Sequence, residues 1–410
     1  MAWPHAVALG PDALLTVIEQ LQGAPLPASV LEADVLPARI KGYRAADLDL
    51  LCAAGEIAWV GLEPLGPHDG KIALYLVDQL PLLGPAPRRA EGELCARVRD
   101  LFEQRGALFF SDLVAETGAF QNDLLAALWD LVWSGEVTND TLAPLRSYQR
   151  GSAAQAKERR TTFRGASFRS RRVGPPGSEG RWSLVGRGRR APSETERRAA
   201  LARVLLERHG VVTREAVQAE GIAGGFSAVY EVLKAMEDAG RVRRGYFVAG
   251  LGATQFALPG ADDRLRAARE PPEDPRALII AATDPANPYG AALPWPETAA
   301  DGDASRARPQ RAAGAHVVLL DGALVGYVGR TEKNLLTFLP KDEPERGHAA
   351  AALAGALSAL VDDGRRRTLL VTRVDGEDPE RSPIGPKLVA AGFTPTSKGY
   401  FKRATLQREL

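Results

Sequence analysis

The sequence predicts an α+β chain of tandem winged-helix modules at 1–84, 92–148 and 193–270, then a small β-barrel at 271–342 and a C-terminal α/β cap at 343–410. An arginine-rich linker is expected at 149–192. Three observations carry this reading. A helix–glycine–strand pattern occurs three times, strand-like runs replace helical periodicity beyond Pro271, and positive charge gathers between the second and third copies of the pattern. At 410 residues the chain exceeds what a single core organises, so several modules are expected.

The copies of the pattern are Leu48 to Trp59 (LDLLCAAGEIAW), Leu128 to Thr138 (LWDLVWSGEVT) and Val232 to Arg243 (VLKAMEDAGRVR). In each, an apolar helix meets a glycine, then a charged residue, a β-branched residue and a short strand. Val229, Val232, Leu233 and Met236 share one helical face, so the third helix packs on a core. Gly240 then stands where a helix C-terminus takes left-handed backbone. Upstream, Thr213 is placed to cap a helix with Val212 stapled onto Val217, and Phe110-Ser111 takes the same part in the second copy. Downstream, Gly245 to Leu258 reads as two strands joined at Gly250-Leu251-Gly252, and Trp59 to Leu62 with Lys71 to Val77 flank a turn-rich stretch in the first copy. Three helices and a hairpin make a winged helix, whose third helix commonly enters the major groove. The same unit also serves protein–protein contacts. The third unit is the stronger candidate for DNA, because Arg241, Arg243 and Arg244 cluster at its wing while the first unit's helix carries Asp47 and Asp49.

Between Arg146 and Arg190 stand twelve arginines and Lys157 against Glu158 and Glu179 alone, although the whole chain has a net charge of only +1. Arginines that neutralise phosphates release counterions, and Phe163, Phe168 and Trp182 among them offer stacking faces for unpaired bases. A solvated linker is the alternative. Gly180 to Val185 reads as an ordered strand that docks Trp182 on a neighbour. Candidate nucleic-acid contacts are therefore Arg146, Arg150, Arg159, Arg160, Arg164, Arg169, Arg171, Arg172, Arg243 and Arg244.

Beyond Pro271, Ala277 to Ala282, His316 to Leu320, Leu324 to Val328 and Asn334 to Leu339 are short apolar runs, with Asp321-Gly322 a hairpin turn between the second and third. A helix at His348 to Val361, a strand at Thr368 to Val374, a helix at Pro383 to Ala391 and a strand at Gly399 to Arg403 form the cap. The loop Asn287-Pro288-Tyr289-Gly290, continuing to Trp295, joins prolines, aromatics and an amide. Asn287, Tyr289 and Trp295 are candidates to line a base pocket, or else they seal the end of the barrel.

Other chemistries find little support. Gly66 to Lys71 (GPHDGK) is one residue short of a phosphate-binding loop and is followed by Ile72, so it reads as a wing turn. The five histidines are dispersed, and neither metal nor cofactor is expected. Asp362-Asp363 and Asp301 to Asp303 lie in turns. Cys52 and Cys95 sit inside helical apolar patterns, where two buried small hydrophobes are expected rather than a disulfide. No apolar run has the length of a membrane span, and a cytoplasmic location is expected.

Several segments resemble a known family. They are Arg243 to Ala257 (RRGYFVAGLGATQFA), Asp284 to Pro296 (DPANPYGAALPWP), Gly314 to Gly329 (GAHVVLLDGALVGYVG), Gly392 to Thr396, Gly23 onward to Arg39, and the strand Gly180 to Leu184. In this order they are similar to the distal region of the Lhr family of large bacterial DNA helicases. The resemblance implies a DNA-binding and oligomerising C-terminal domain that follows an ATP-dependent helicase engine, and a fold similar to AlkZ-type DNA glycosylases. The engine's motifs do not occur in this sequence, so the resemblance implies a fused or separately encoded helicase core, with DNA and further copies of the chain as partners. A DNA glycosylase acting on a flipped damaged base is the alternative. The AlkZ-type signature of glutamine, an apolar residue, then glutamine or aspartate has only the loose counterpart Gln121-Asn122-Asp123, so no catalytic residue is assigned.

Overall fold

The glycines at the three predicted helix ends, Gly55, Gly135 and Gly240, take φ of 78°, 77° and 69° in the computed structural model. That model describes residues 10–151, 174–188, 191–252, 254–270, 275–297 and 308–404. At each of the three ends the same bonds recur. The glycine N–H donates to the carbonyl three residues back, and the next N–H donates five back: Gly55 to Cys52 and Glu56 to Leu51, Gly135 to Val132 and Glu136 to Leu131, Gly240 to Glu237 and Arg241 to Met236. This is the hydrogen-bond pattern that satisfies a helix's last carbonyls once a left-handed residue ends it.

The chain divides into two units, Met1–Glu32 with Arg39–Arg208 and Ala33–Ala38 with His209–Leu410. In the first, helices Pro11–Leu21 and Ala45–Ala53 precede strands Ile57–Pro64 and Gly70–Leu76, and the short strand Leu26–Pro27 pairs with the latter. Gly66 to Asp69 is the wing turn, where the Asp69 carboxylate accepts from the Ser29 N–H and hydroxyl at 3.0 and 2.5 Å.

Helices Glu93–Arg105, Phe110–Thr117 and Gln121–Trp133 build the second winged helix. Its second helix is capped differently from expectation. The Asp112 carboxylate reaches back to the Phe109 N–H at 3.1 Å, so Ser111 is not the cap. The sheet of this module runs in the order Leu108–Phe109, Arg181–Leu184, Val137–Asn139. Residues 181–184 of the stretch expected as a linker at 149–192 are therefore the central strand of this sheet. Trp182 on the central strand is fully buried and meets the Trp129 ring edge-on at 6.0 Å. The two modules of this unit pack through Gly61, where a Cβ would stand 2.4 Å from the Val132 carbonyl oxygen, and through the Trp59 indole, which donates to the Thr141 carbonyl at 3.0 Å.

The helix Glu194–His209 leads into the second unit, where Val211–Val212, Arg214–Ala219, Ser227–Asp238, Arg243–Gly245 and Gln255–Ala257 follow. Thr213 caps as predicted, its hydroxyl accepting from the Ala216 N–H at 3.1 Å. Beyond it the strands pair in the order Ala277–Ala281, His316–Leu320, Ala323–Val328, Asn334–Thr337, with Arg373–Val374 parallel at the far edge. Asp321 and Gly322 both have positive φ, 49° and 86°, as a two-residue hairpin turn requires. Among the described residues no pairing closes these strands into the expected barrel. The sheet is covered instead by the helix Glu345–Asp362, which comes so close that a Cβ on Gly326 would stand 2.4 Å from Leu353 Cδ1. A second sheet, Thr368–Val371, Gly399–Arg403, Thr394–Thr396, shares the same core. Val318, Val328 and Leu335 from the first sheet bury against Leu353, Leu357, Leu369 and Leu388. The segments expected as barrel and cap thus fold around one hydrophobic centre.

Candidate nucleic-acid interface

Of the ten candidate arginines, Arg159, Arg160, Arg164, Arg169, Arg171 and Arg172 lie outside the described residues. Arg150 is exposed near the end of the helix 143–151. Arg146 is engaged within the first unit. Its guanidinium meets Glu32 at 2.7 Å and Asp49 at 2.6 Å, and Tyr43 donates to Glu32 at 2.6 Å. Burial works against the Arg146 charge, but the hydrogen bonds and charges of Glu32 and Asp49 raise its pKa above the ordinary arginine value. The same pair neutralises Asp49, one of the two aspartates that make the first unit's helix read as acidic in sequence.

Arg243 and Arg244 stand at the base of the third module's wing with loose partners, Arg243 to Asp262 at 3.4 Å and Arg244 to Glu237 at 3.2 Å. The wing above them is braced from inside. Gln255, fully buried, accepts from the Phe247 and Val248 N–H groups at 2.9 and 2.8 Å and donates to the Val248 and Gly252 carbonyls. Glu215 accepts from the Gly252 N–H at 3.1 Å, and Tyr246 stays 62% exposed at the surface of the loop. A rigid wing with two outward cations and an open aromatic face can lie against a phosphate chain at little ordering cost. In the second module the Arg181 guanidinium lies 5.9 Å from the Phe109 ring centroid, and Phe109 and Phe120 are exposed. Sequence reasoning missed this surface, because an isolated phenylalanine at a helix start carries no periodic signal.

The three side chains proposed to line a base pocket have partners within the chain. Asn287 is buried, donates to the Ala282 and Tyr289 carbonyls and accepts from the Tyr289 N–H at 3.1 Å. The Tyr289 hydroxyl donates to the Gly322 carbonyl at 3.2 Å and accepts from the Leu324 N–H, while Trp295 stacks edge-on against Tyr327. Arg311 donates to the Asn287 carbonyl at 2.7 Å and the Asp284 carbonyl at 3.2 Å, tying the loop to the segment that precedes the strand His316–Leu320.

A second ionic cluster was not visible in the sequence. In the second unit, Asp34 Oδ1 meets His316 Nε2 at 3.0 Å, Arg366 at 3.3 Å and Arg365 at 3.5 Å, and Arg366 also holds Glu332 at 2.5 Å. Burial raises the Asp34 pKa, but the His316 hydrogen bond and the His316 and Arg366 charges outweigh it and bring it down to about 2. With its lone pairs taken by cations, this carboxylate is placed to hold structure and not to abstract protons. Among the described residues no group of acidic, histidine and cysteine side chains has the arrangement of a metal site. Cys52 and Cys95 are buried free thiols.

Two family descriptions, each "Large helicase-related protein, winged-helix domain", match this chain, the third such domain at residues 2–77 and the fourth at 191–277. A Mycolicibacterium smegmatis protein named "Lhr helicase/ probable uracil glycosylase" is 42% identical over 97% of this chain and 27% of its own length. An Escherichia coli K12 protein named "Lhr helicase/uracil glycosylase" is 36% identical over 95% of this chain and 26% of its own length. The chain spans about a quarter of the length of these curated relatives. A solved structure, Streptomyces sahachiroi DNA glycosylase AlkZ, overlays 88% of this chain and 99% of its own at a TM-score of 0.49 and 16% identity.

Proposed function

The chain belongs to the distal region of the Lhr family and carries its third and fourth winged-helix domains, and from that premise we propose that it is the DNA-binding and oligomerisation module of an Lhr-type repair helicase. It acts in the cytoplasm beside a helicase core, fused to it or separately encoded. The observation that carries the reading is the place of the arginine-dense stretch. Arg181–Leu184, within that stretch, is a strand of the second winged helix, whose strand Val137–Asn139 precedes the stretch in sequence, so the stretch is continuous in sequence with a module of DNA-binding type. No helix among the described residues is long and apolar enough to cross a membrane. The test is the salt dependence of duplex binding. Each neutralised phosphate steepens log K against log salt by about 0.9, so replacing Arg169, Arg171 and Arg172 with alanine flattens the slope, and an unchanged slope removes the stretch from the interface.

A second reading, a DNA glycosylase, is favoured by the names of both relatives, which include uracil glycosylase. Gln121, Asn122 and Asp123, the loose counterpart of a glycosylase signature, are exposed in the first turn of Gln121–Trp133. Incubation with uracil-containing duplex followed by alkali separates the readings, since strand scission that persists through purification and disappears in Asp123→Asn supports the enzyme.

A further inference from the structure

The C-terminal sheet carries a groove of roughly 460 Å³ whose lining includes Lys333, Arg373, Lys398, Asp378 and Glu380. Lys333, Arg373 and Lys398 gather around Thr372. The Lys333 carbonyl accepts from the Thr372 and Arg373 N–H groups at 2.8 and 3.1 Å. Gly399, next to Lys398 in the chain, packs so tightly here that a Cβ would stand 2.9 Å from Thr372 Cα. Asp378 and Glu380 lie toward the Tyr400 hydroxyl, whose pKa is raised by burial and then by the charges of Glu380 and Asp378. All five charged side chains are exposed, and none of the three cations forms an ion pair among the described residues. Asp378 accepts from the Glu380 N–H, which orders the acidic side. A groove lined by three cations without ion-pair partners and by two carboxylates suits a ligand that carries both an anion and hydrogen-bond donors. Its size falls within the roughly 300–1,000 Å³ of small-ligand sites.

We propose that this groove is a nucleotide subsite, which takes the phosphate of a nucleoside phosphate on Lys333, Arg373 and Lys398 and the exocyclic amino group of its base on Asp378 and Glu380. Carboxylates accept from the amino group of cytosine, whereas thymine has none to offer. Where the nucleotide belongs to a DNA strand, the proposal rests on the DNA-binding reading above; a free nucleotide has the same chemistry.

The test uses the full chain with two probes, short single strands of deoxycytidylate or deoxythymidylate, and free deoxycytidine monophosphate. The combined variant Lys333→Ala, Arg373→Ala, Lys398→Ala should bind the strands about tenfold more weakly and lower the salt slope by about 0.7 for each phosphate that is no longer neutralised. It should also fail to bind the free nucleotide. Glu380→Gln should bring deoxycytidylate and deoxythymidylate affinities toward parity. The replaced cations are exposed, so the melting temperature should hold, and a glutamine triple at the same positions removes charge while keeping more of each side chain should the alanine variant misfold. A triple variant that binds both probes as wild type does overturns the groove and leaves the DNA reading intact. Free nucleotide captured by wild type but not by the triple variant, with no strand binding, supports the groove and overturns the DNA reading. Equal strengthening of both strands by Glu380→Gln overturns the base contact, because the carboxylate would then only repel phosphate.

Discussion

Replacing Arg243 and Arg244 together by alanine should separate DNA binding from folding. In the structure Arg243 is 63% exposed and Arg244 46% exposed, with their carboxylate partners at 3.4 and 3.2 Å. Exposed pairs of this kind contribute about 0–1 kcal/mol each, so the double variant should lose no more than roughly 1–2 kcal/mol of stability. For a unit of some 200 residues, each kcal/mol moves the melting temperature by about 2–4 °C, which makes the expected shift a few degrees. The wing itself should persist, because Gln255 and Glu215 hold it and neither arginine does. Two charge-assisted phosphate contacts are together worth roughly 1–3 kcal/mol, or about five- to 150-fold in affinity. Removing them should also flatten the salt slope on duplex DNA by about 1.8. Fluorescence anisotropy across a salt series and a thermal melt on the same preparation measure all three quantities. Wild-type affinity and slope would assign the wing to protein contacts. A melting temperature lowered far beyond a few degrees would make the arginines structural.

Asp34→Ala removes the buried carboxylate that the half-buried Arg365 and Arg366 face, leaving Arg366 only the Glu332 carboxylate among the described residues, and should cost about 3–5 kcal/mol in urea unfolding, against a much smaller loss for an exposed aspartate such as Asp263. Its carboxyl is depressed from 3.8 to about 2, so its contribution is complete above about pH 4 and is lost as the pH falls through 2; Asp34→Asn should remove this dependence from acid unfolding curves. Arg146→Ala leaves Glu32 and Asp49 facing one another beside Tyr43 and should destabilise the first unit by about 1–3 kcal/mol with an unchanged salt slope. A flattened slope would return Arg146 to the DNA contacts.

What the sequence revealed was local. A helix end that needs a left-handed residue selects glycine within a fixed pattern, so Gly55, Gly135 and Gly240 could be read directly, as could Asp321-Gly322 and the Thr213 cap. Pairings between distant segments could not. Arg181–Leu184 is a central strand only because Leu108–Phe109 and Val137–Asn139 lie on either side of it, and nothing in its four residues names those neighbours. Whether the strands beyond residue 271 close on themselves was not legible for a related reason. Short apolar runs are the same whether they close on themselves or are covered by a helix, and here the Ala-rich face of Glu345–Asp362 covers them. Asp34 and His316 lie 282 residues apart, so their pairing leaves no mark on local composition. At the candidate interface, counting arginines identified where the charge is but not which ones the fold had already used, as Arg146 shows.

The central strand of the second winged helix, Arg181–Leu184, lies more than forty residues beyond its neighbour Val137–Asn139 in sequence, so this module is completed late in the chain. Cutting at a protease site inserted between residues 152 and 173 would leave two pieces joined by both ladders of Arg181–Leu184 and by the buried Trp182. The pieces should therefore travel together until denatured. Ending the chain at residue 150, by contrast, would remove the middle of the sheet and leave the edges of Leu108–Phe109 and Val137–Asn139 open to whatever strand they met. A version cut short before Arg181 to shed the basic stretch would therefore lose the middle strand of this module.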